Sequence, residues 1–135
     1  MITLTSVYRE PGAATILYHL LQERTPEMSI SHKAMPTIME HAKFMASIPY
    51  QGWYIVRANY APAPVGAIYL TRAREVGIFI FKAHQGKGYA HAALAELRKL
   101  HPGRMLANIS PENARSIKFF EKHGARLIQY TYELP

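Results

Sequence analysis

The chain contains no cysteine, which rules out a disulfide framework, a thiolate nucleophile and cysteine-ligated zinc or iron–sulfur chemistry. It also lacks an apolar run long enough to cross a bilayer. Its first residues, MITLTSVYRE, do not combine the basic stretch and long apolar run of a secretory leader. A cytoplasmic location away from membranes is the resulting expectation. Internal repeats, low-complexity tracts and linker-like segments are missing too, so residues 1–135 read as one domain, large enough to bury a core unaided. Acidic residues are few, nine Asp and Glu against sixteen Lys and Arg, for a formal net charge of +7. This balance favours an anionic partner: a nucleic acid, a nucleotide or a phosphorylated cofactor. No run gathers the basic residues together, which weakens a nucleic-acid footprint without excluding it.

The hydrophobic pattern alternates between strand and helix periods. ITLTSV reads as a first strand and AATILYHLLQER as a first helix. In PTIMEHAKFMASI, Pro36 suits a first-turn position and Thr37 with Glu40 has capping-box spacing, so a second helix is expected. GWYIVRA, VGAIYLT and EVGIFIF, rich in β-branched and aromatic residues, read as three consecutive strands. A helix from Gly88 to about Leu100 follows, stopped by His101-Pro102-Gly103. RMLANI reads as a fifth strand. SPENARSIKFFEKHG then reads as a last helix with Ser110 as N-cap, Pro111 at its first position and Gly124 at its end. ARLIQYTYEL closes the series as a final strand. The order β-α-α-β-β-β-α-β-α-β describes an α/β protein with one sheet, partly antiparallel and partly parallel.

Between the fourth strand and the third helix lies HQGKGYAHA. Gly86 and Gly88 permit positive φ and close approach of backbone to a ligand, and a helix beginning near Gly88 offers unpaired N–H groups and the positive end of its dipole. Lys87 adds a mobile positive charge. The physical reading is an anion site, most simply for a phosphate; a tight strand-to-helix turn is the plainer alternative.

Gln85, Gly88 and Ala90 match the pattern (Gln/Arg)-x-x-Gly-x-(Gly/Ala), and NARSIKFFEKHGA, Asn113 to Ala125, resembles Asn-x-x-(Ala/Ser)-Ile-x-x-Tyr-Glu-Lys-x-Gly-Phe. With the element order, these segments make the chain similar to the GNAT superfamily of acetyl-CoA-dependent N-acetyltransferases. The resemblance is specific from about Val65 onward. It implies the GNAT fold: one mixed sheet of about six or seven strands with about four helices, its fourth and fifth strands splayed. It also implies that Gln85, Gly86, Lys87, Gly88, Tyr89, Ala90 and His91 hold the CoA pyrophosphate, and that backbone at Ile78, Phe79 and Ile80 pairs with the pantetheine arm. Asn113, Ser116 and Phe119 would flank that arm, although Asn113 equally suits helix-end hydrogen bonding. No metal is implied.

The resemblance implies acetyl transfer from acetyl-CoA to a primary amine of a small molecule, an amino sugar among the candidates, by direct attack through a tetrahedral intermediate. A backbone N–H near Ile80 would hold the oxyanion. Alternatives left open are a macromolecular amine, such as a protein N-terminus, a lysine or aminoacyl-tRNA, and a non-catalytic CoA- or nucleic-acid-binding module. Where the family often has a tyrosine that protonates the departing thiolate, this chain has Phe120, leaving Ser116, Tyr130, Tyr132 or water. An ammonium with a pKa near ~10 must lose a proton before it can attack. Glu75 is the first candidate base, through a water, against a solvated glutamate paired with Arg72 or Arg74. Asn108 stands where some relatives place a glutamate and could orient substrate or water. His84 reads as a loop residue. Met28, His32, Met35 and His41, over Trp53 and Tyr54, could line the acceptor pocket or serve as ordinary packing. A weaker likeness to amino-sugar-nucleotide N-acetyltransferases runs through Ile30, Ser31, Glu40, His41 and Phe44. A homodimer through an edge strand is also left open.

Overall fold

The computed structural model describes residues 2–24, 35–59 and 63–135. Among them the elements run β1 (Ile2–Ser6), α1 (Ala13–Glu23), α2 (Ile38–Ala46), β2 (Tyr50–Ala58), β3 (Pro64–Thr71), β4 (Val76–Ile80), α3 (Tyr89–Leu100) and α4 (Ala114–Lys122). The four strands form one antiparallel sheet in chain order, β1-β2-β3-β4. Short connections between consecutive strands account for this simple meander. No helix among the described residues is long and apolar enough to cross a membrane.

Alternation along the strands builds two cores, one on each face of the sheet. On one face Trp53, Ile55 and Ala67 pack with Val7 and with Leu17 and Leu20 of α1. On the other, Val56, Ala58, Ile68 and Leu70 pack with Ala93, Leu94 and Leu97 of α3. Leu97 is completely buried, and sequestering such a side chain contributes about 1.5–3 kcal/mol.

Two bulges break the alternation. Tyr50 pairs with Thr71 but Gly52 with Leu70, so Gln51 is an extra residue; likewise Arg57 pairs with Pro64 and Val56 with Gly66, leaving Val65 extra. The first bulge turns Tyr50 to the same face as Trp53, three residues on, with ring centroids 4.8 Å apart. The second places Val65 in the core of Ile68 and Leu70.

The sheet is smaller than the expected six or seven strands. Leu106, in the expected fifth strand, makes one parallel bridge to Glu75 through Val76 N–H to Leu106 C=O (2.7 Å) and Leu106 N–H to Arg74 C=O (2.8 Å). Among the described residues, this bridge is the one parallel pairing. The expected final strand, ARLIQYTYEL, is exposed and pairs with no strand among the described residues. Its β propensity finds no neighbouring edge on which to form a ladder.

Helix starts also shift. Thr37 caps α2 with a complete capping box to Glu40, so Pro36 stands before the cap rather than in the first turn. Asn113, not Ser110, caps α4 by accepting from Ser116 N–H. Ser110 instead closes the preceding turn, its carbonyl accepting from Asn113 N–H and its hydroxyl from Glu112 N–H.

Candidate active site

A cavity of about 510 Å³ opens beside β4, between the α3 N-terminus and α4. Its size falls within the range typical of ligand sites. Gly86 (φ 78°) and Gly88 (φ 82°) both adopt the left-handed conformation, and a Cβ on either would stand in open space. Gly88 caps α3 without a side chain, and the first main-chain bond of the turn is Ala92 N–H to Gly88 C=O. The preceding amides of Tyr89, Ala90 and His91 are therefore available at the positive end of the helix dipole. Lys82, Arg115, Lys118 and Lys122 line the same cavity, with Glu23 its single acidic lining residue. This charge and backbone together suit a phosphorylated ligand.

The hydrogen bonds of β4 show which of its backbone groups face this cavity. Val76 N–H points to Leu106 and Phe81 N–H to Val65 on β3. Strand alternation then turns the amides of Ile78 and Ile80 away from β3, toward the cavity they line. Phe79 is the exception among the three expected backbone contacts. Its main chain faces β3, opposite Ala67, and it lines the cavity through its side chain. Gln85 ties the end of β4 to α4, its Nε2 donating to Ile80 C=O (3.0 Å) and its Oε1 accepting from Arg115 (2.7 Å).

Of the other residues singled out in the sequence, Gln85, Gly86, Gly88, Tyr89, Ala90 and His91 line this cavity, as do His84, Asn113, Ser116, Phe119 and Phe120. Lys87 is exposed at its mouth without lining it. His91 and His123 share a hydrogen bond of 2.7 Å beside the Phe119 ring. Burial lowers the pKa of His123, and the charges of His91 and Arg98 lower it further. Ser116 is the hydroxyl candidate that reaches the cavity. Tyr130 and Tyr132 are exposed and line neither cavity described here.

A second cavity, of about 150 Å³, lies on the α1 face between α1, α2 and the sheet. Leu20, Arg24 and Phe79 line both cavities, so the two meet there. Its walls are aromatic: Tyr50 stacks on Tyr69 at 4.1 Å, and Phe44 meets Trp53 edge-on at 6.0 Å. Burial raises the pKa values of Tyr50 and Tyr69, keeping both phenols protonated. His41 is 4 % exposed, and its Nε2 is buried with no hydrogen-bond partner. Burial lowers its pKa against the opposing pull of the Ala14 backbone, so the ring is neutral at pH 7. The Arg24 guanidinium lies over the Phe79 ring at 4.0 Å, with its Nε likewise buried and unpartnered.

Glu75 and Asn108 line neither cavity. Glu75 is half-buried at the Leu106 bridge, its N–H bonded to the Thr71 hydroxyl (2.9 Å). Arg72 and Arg74 do not pair with it: Arg72 donates to Ile48 C=O and Arg74 to the carbonyls of His101, Pro102 and Arg104. Glu75 does reach Tyr69 electrostatically, adding to the rise in that phenol's pKa after burial, against the lowering effects of Arg24 and Tyr50. Asn108 is exposed.

Of the expected acceptor residues, His41 and Trp53 line the second cavity. Met35 does not, and Met28 and His32 lie outside the described residues, as do Ile30 and Ser31. Tyr54 points to the opposite face, where its hydroxyl bonds His101 Nε2 (2.7 Å); alternation after Trp53 requires this. Sequence reading missed Arg24, Tyr50 and Tyr69. The one signal for Tyr69 was Gly77, its partner across β3 and β4, where a Cβ would run into the tyrosine ring.

The family model described as the acetyltransferase (GNAT) domain matches residues 7–126. No curated protein matches the chain. Among solved structures, a domain from Methanocaldococcus jannaschii is similar at TM-score 0.74 and 21 % identity, covering 98 % of this chain and 93 % of that one. The yncA protein of Salmonella typhimurium, with its cofactor acetyl-CoA, is similar at TM-score 0.64 and 19 % identity, covering 92 % and 78 %. Dodecameric spermidine N-acetyltransferase from Vibrio cholerae is similar at TM-score 0.67 and 19 % identity, covering 91 % and 78 %.

Proposed function

The chain belongs to the acetyltransferase (GNAT) family, and from that membership we propose that it transfers an acetyl group from acetyl-CoA to the primary amine of a small molecule. Acetyl-CoA would occupy the larger cavity, its pyrophosphate on the amides of Gly86 to His91 and its pantetheine arm along Ile78 and Ile80. The acceptor would occupy the smaller, aromatic cavity. One observation carries the reading: an uncapped helix N-terminus behind two left-handed glycines opens into a basic cavity, beside a strand edge with inward-facing amides.

The chemistry follows from the junction of the two cavities. The acceptor nitrogen forms a bond to the thioester carbonyl carbon while the carbon–sulfur bond breaks. The Ile80 N–H, turned away from β3, is placed to stabilise negative charge developing on the carbonyl oxygen. The amine's proton is assigned to Glu75 through water, a role read from its half-buried place at the head of β4 beside the Leu106 bridge. Ser116 is the hydroxyl placed to protonate the thiolate, since Phe120 has no proton to give.

The cofactor assignment is tested by titration calorimetry with acetyl-CoA, comparing wild type with Gly88→Val. The substitution strains a left-handed position and fills the phosphate space, and affinity should fall about 10-fold or more. Unchanged affinity would remove the phosphate loop from the site.

We extend the proposal to assembly. Leu127, Ile128, Tyr130, Tyr132 and Leu134 are exposed along the C-terminal segment. Residues 107–110 likewise leave their backbone unpaired to any strand among the described residues. A homodimer in which the C-terminal segment of one copy pairs with this edge of a second would cover both.

A further inference from the structure

The acceptor cavity holds more polar capacity than an apolar packing space needs. Two buried nitrogens in its walls have no hydrogen-bond partner, Arg24 Nε and His41 Nε2. Leaving such groups unpaired costs stability, and the cost is tolerable where a ligand completes them. Arg24 is the more informative of the two. The ion pairs of the described residues join Arg57 to Glu10 and Lys99 to Glu96, and among these residues no carboxylate pairs with Arg24. Glu23, next to it in sequence, accepts from the Lys82 N–H instead (2.8 Å). Glu40, the acidic residue lining the acceptor cavity, is engaged with the backbone of Thr37 in the α2 capping box. Among the described residues, then, Arg24 is a cation of this cavity without a carboxylate partner, held over Phe79 where the cavity meets the larger one.

Resting on the acetyl-transfer reading above, we infer that the acceptor is an amine carrying a negatively charged group, a carboxylate or a phosphate, and that Arg24 selects it by pairing with that group. The rest of the cavity fits this occupant. Its volume, about 150 Å³, is that of a space able to hold one six-membered ring, and Tyr50, Tyr69 and Trp53 give it largely apolar, aromatic walls. His41, neutral, offers its remaining nitrogen to a hydroxyl or amide of the occupant. The same arrangement disfavours a polycation, because among the described residues no free carboxylate lines the cavity to receive a second ammonium, and Arg24 repels it. A planar fork of donors suits both carboxylate and phosphate, so the geometry fixes the charge of the group rather than its parent acid.

The test compares initial rates of acetyl-CoA consumption with four amines: glucosamine, glucosamine 6-phosphate, phenylalanine and spermidine. Acetyl-CoA affinity is measured in parallel by calorimetry. The inference expects glucosamine 6-phosphate or phenylalanine to exceed both glucosamine and spermidine in kcat/KM by at least 10-fold. Which of the two leads identifies phosphate or carboxylate as the group read. In Arg24→Met the KM for the favoured anionic amine should rise about 10- to 100-fold while acetyl-CoA affinity stays unchanged. Arg24→Lys, which keeps the charge, should retain most of the preference. Spermidine or glucosamine as the best acceptor would overturn the inference while leaving acetyl transfer intact. A loss of acetyl-CoA affinity in both variants, with the acceptor preference preserved, would also overturn it, moving Arg24 to the cofactor. Failure of the wild type to bind acetyl-CoA at all would instead strike the cofactor reading on which the inference rests.

Discussion

Glu75 shows how far one residue's role depends on what surrounds it. Its backbone is fixed at both ends of the β3–β4 connection, by the Thr71 hydroxyl and by the Leu106 bridge, while the arginines beside it in sequence are committed to carbonyls elsewhere. The base role proposed for Glu75 is therefore tested at the residue itself. Glu75→Gln should lower kcat by about 100-fold, the lower end of what a general base contributes, with acetyl-CoA affinity unchanged in calorimetry. A variant that keeps the wild-type rate and pH profile would release Glu75 from this role and turn attention to His41, which lines the smaller cavity. Gly86 and Gly88 were legible in the sequence because positive φ at a strand-to-helix turn leaves a residue-type signature. Arg24 was not. An arginine at a helix end reads as solvated, and what makes it distinctive is the Phe79 ring beneath it and, among the described residues, the lack of a carboxylate paired with it.

At the scale of elements, the helices and the four paired strands were legible because each carries its own period and, for α2, its own capping box. The two missing strands were not, since β pairing depends on a partner edge that composition does not encode. The acceptor cavity was hidden for a related reason. It is built by the extra residue Gln51, which rotates Tyr50 into stacking distance of Tyr69, and in a strand buried on both faces such a break in alternation is hard to see. Gly77 is the counterpart on β4, since its bare Cα makes room for the Tyr69 ring. Gly77→Ala should therefore cost about 1–3 kcal/mol in denaturant unfolding, as overpacking does. It should also raise the acceptor KM more than the acetyl-CoA Kd, because the displaced ring belongs to the acceptor wall. Equal effects on both constants would show that Tyr69 does not shape the acceptor cavity.

For the whole molecule, the uncovered C-terminal segment is the feature that sets its behaviour in solution. Five large apolar residues exposed over eight positions exceed what a lone soluble chain keeps without a covering surface. Light scattering at micromolar concentration should give a dimer for the full chain and a monomer for a chain ended at Gly124, with acetyl-CoA binding retained in both. A monomeric full chain would set aside the proposed strand exchange.

The two cores also divide the molecule's labour. Helix α3, at the larger cavity, is anchored by Leu94 and Leu97 on one side of the sheet, whereas the walls of the smaller cavity rest on Leu17, Leu20 and Trp53 on the other. Substitutions confined to opposite sides share few neighbours, so their effects should combine additively. The donor half could thus stay constant while the acceptor half diversifies, letting one scaffold be retargeted by evolution or by an engineer through a handful of positions on α1, α2 and β2.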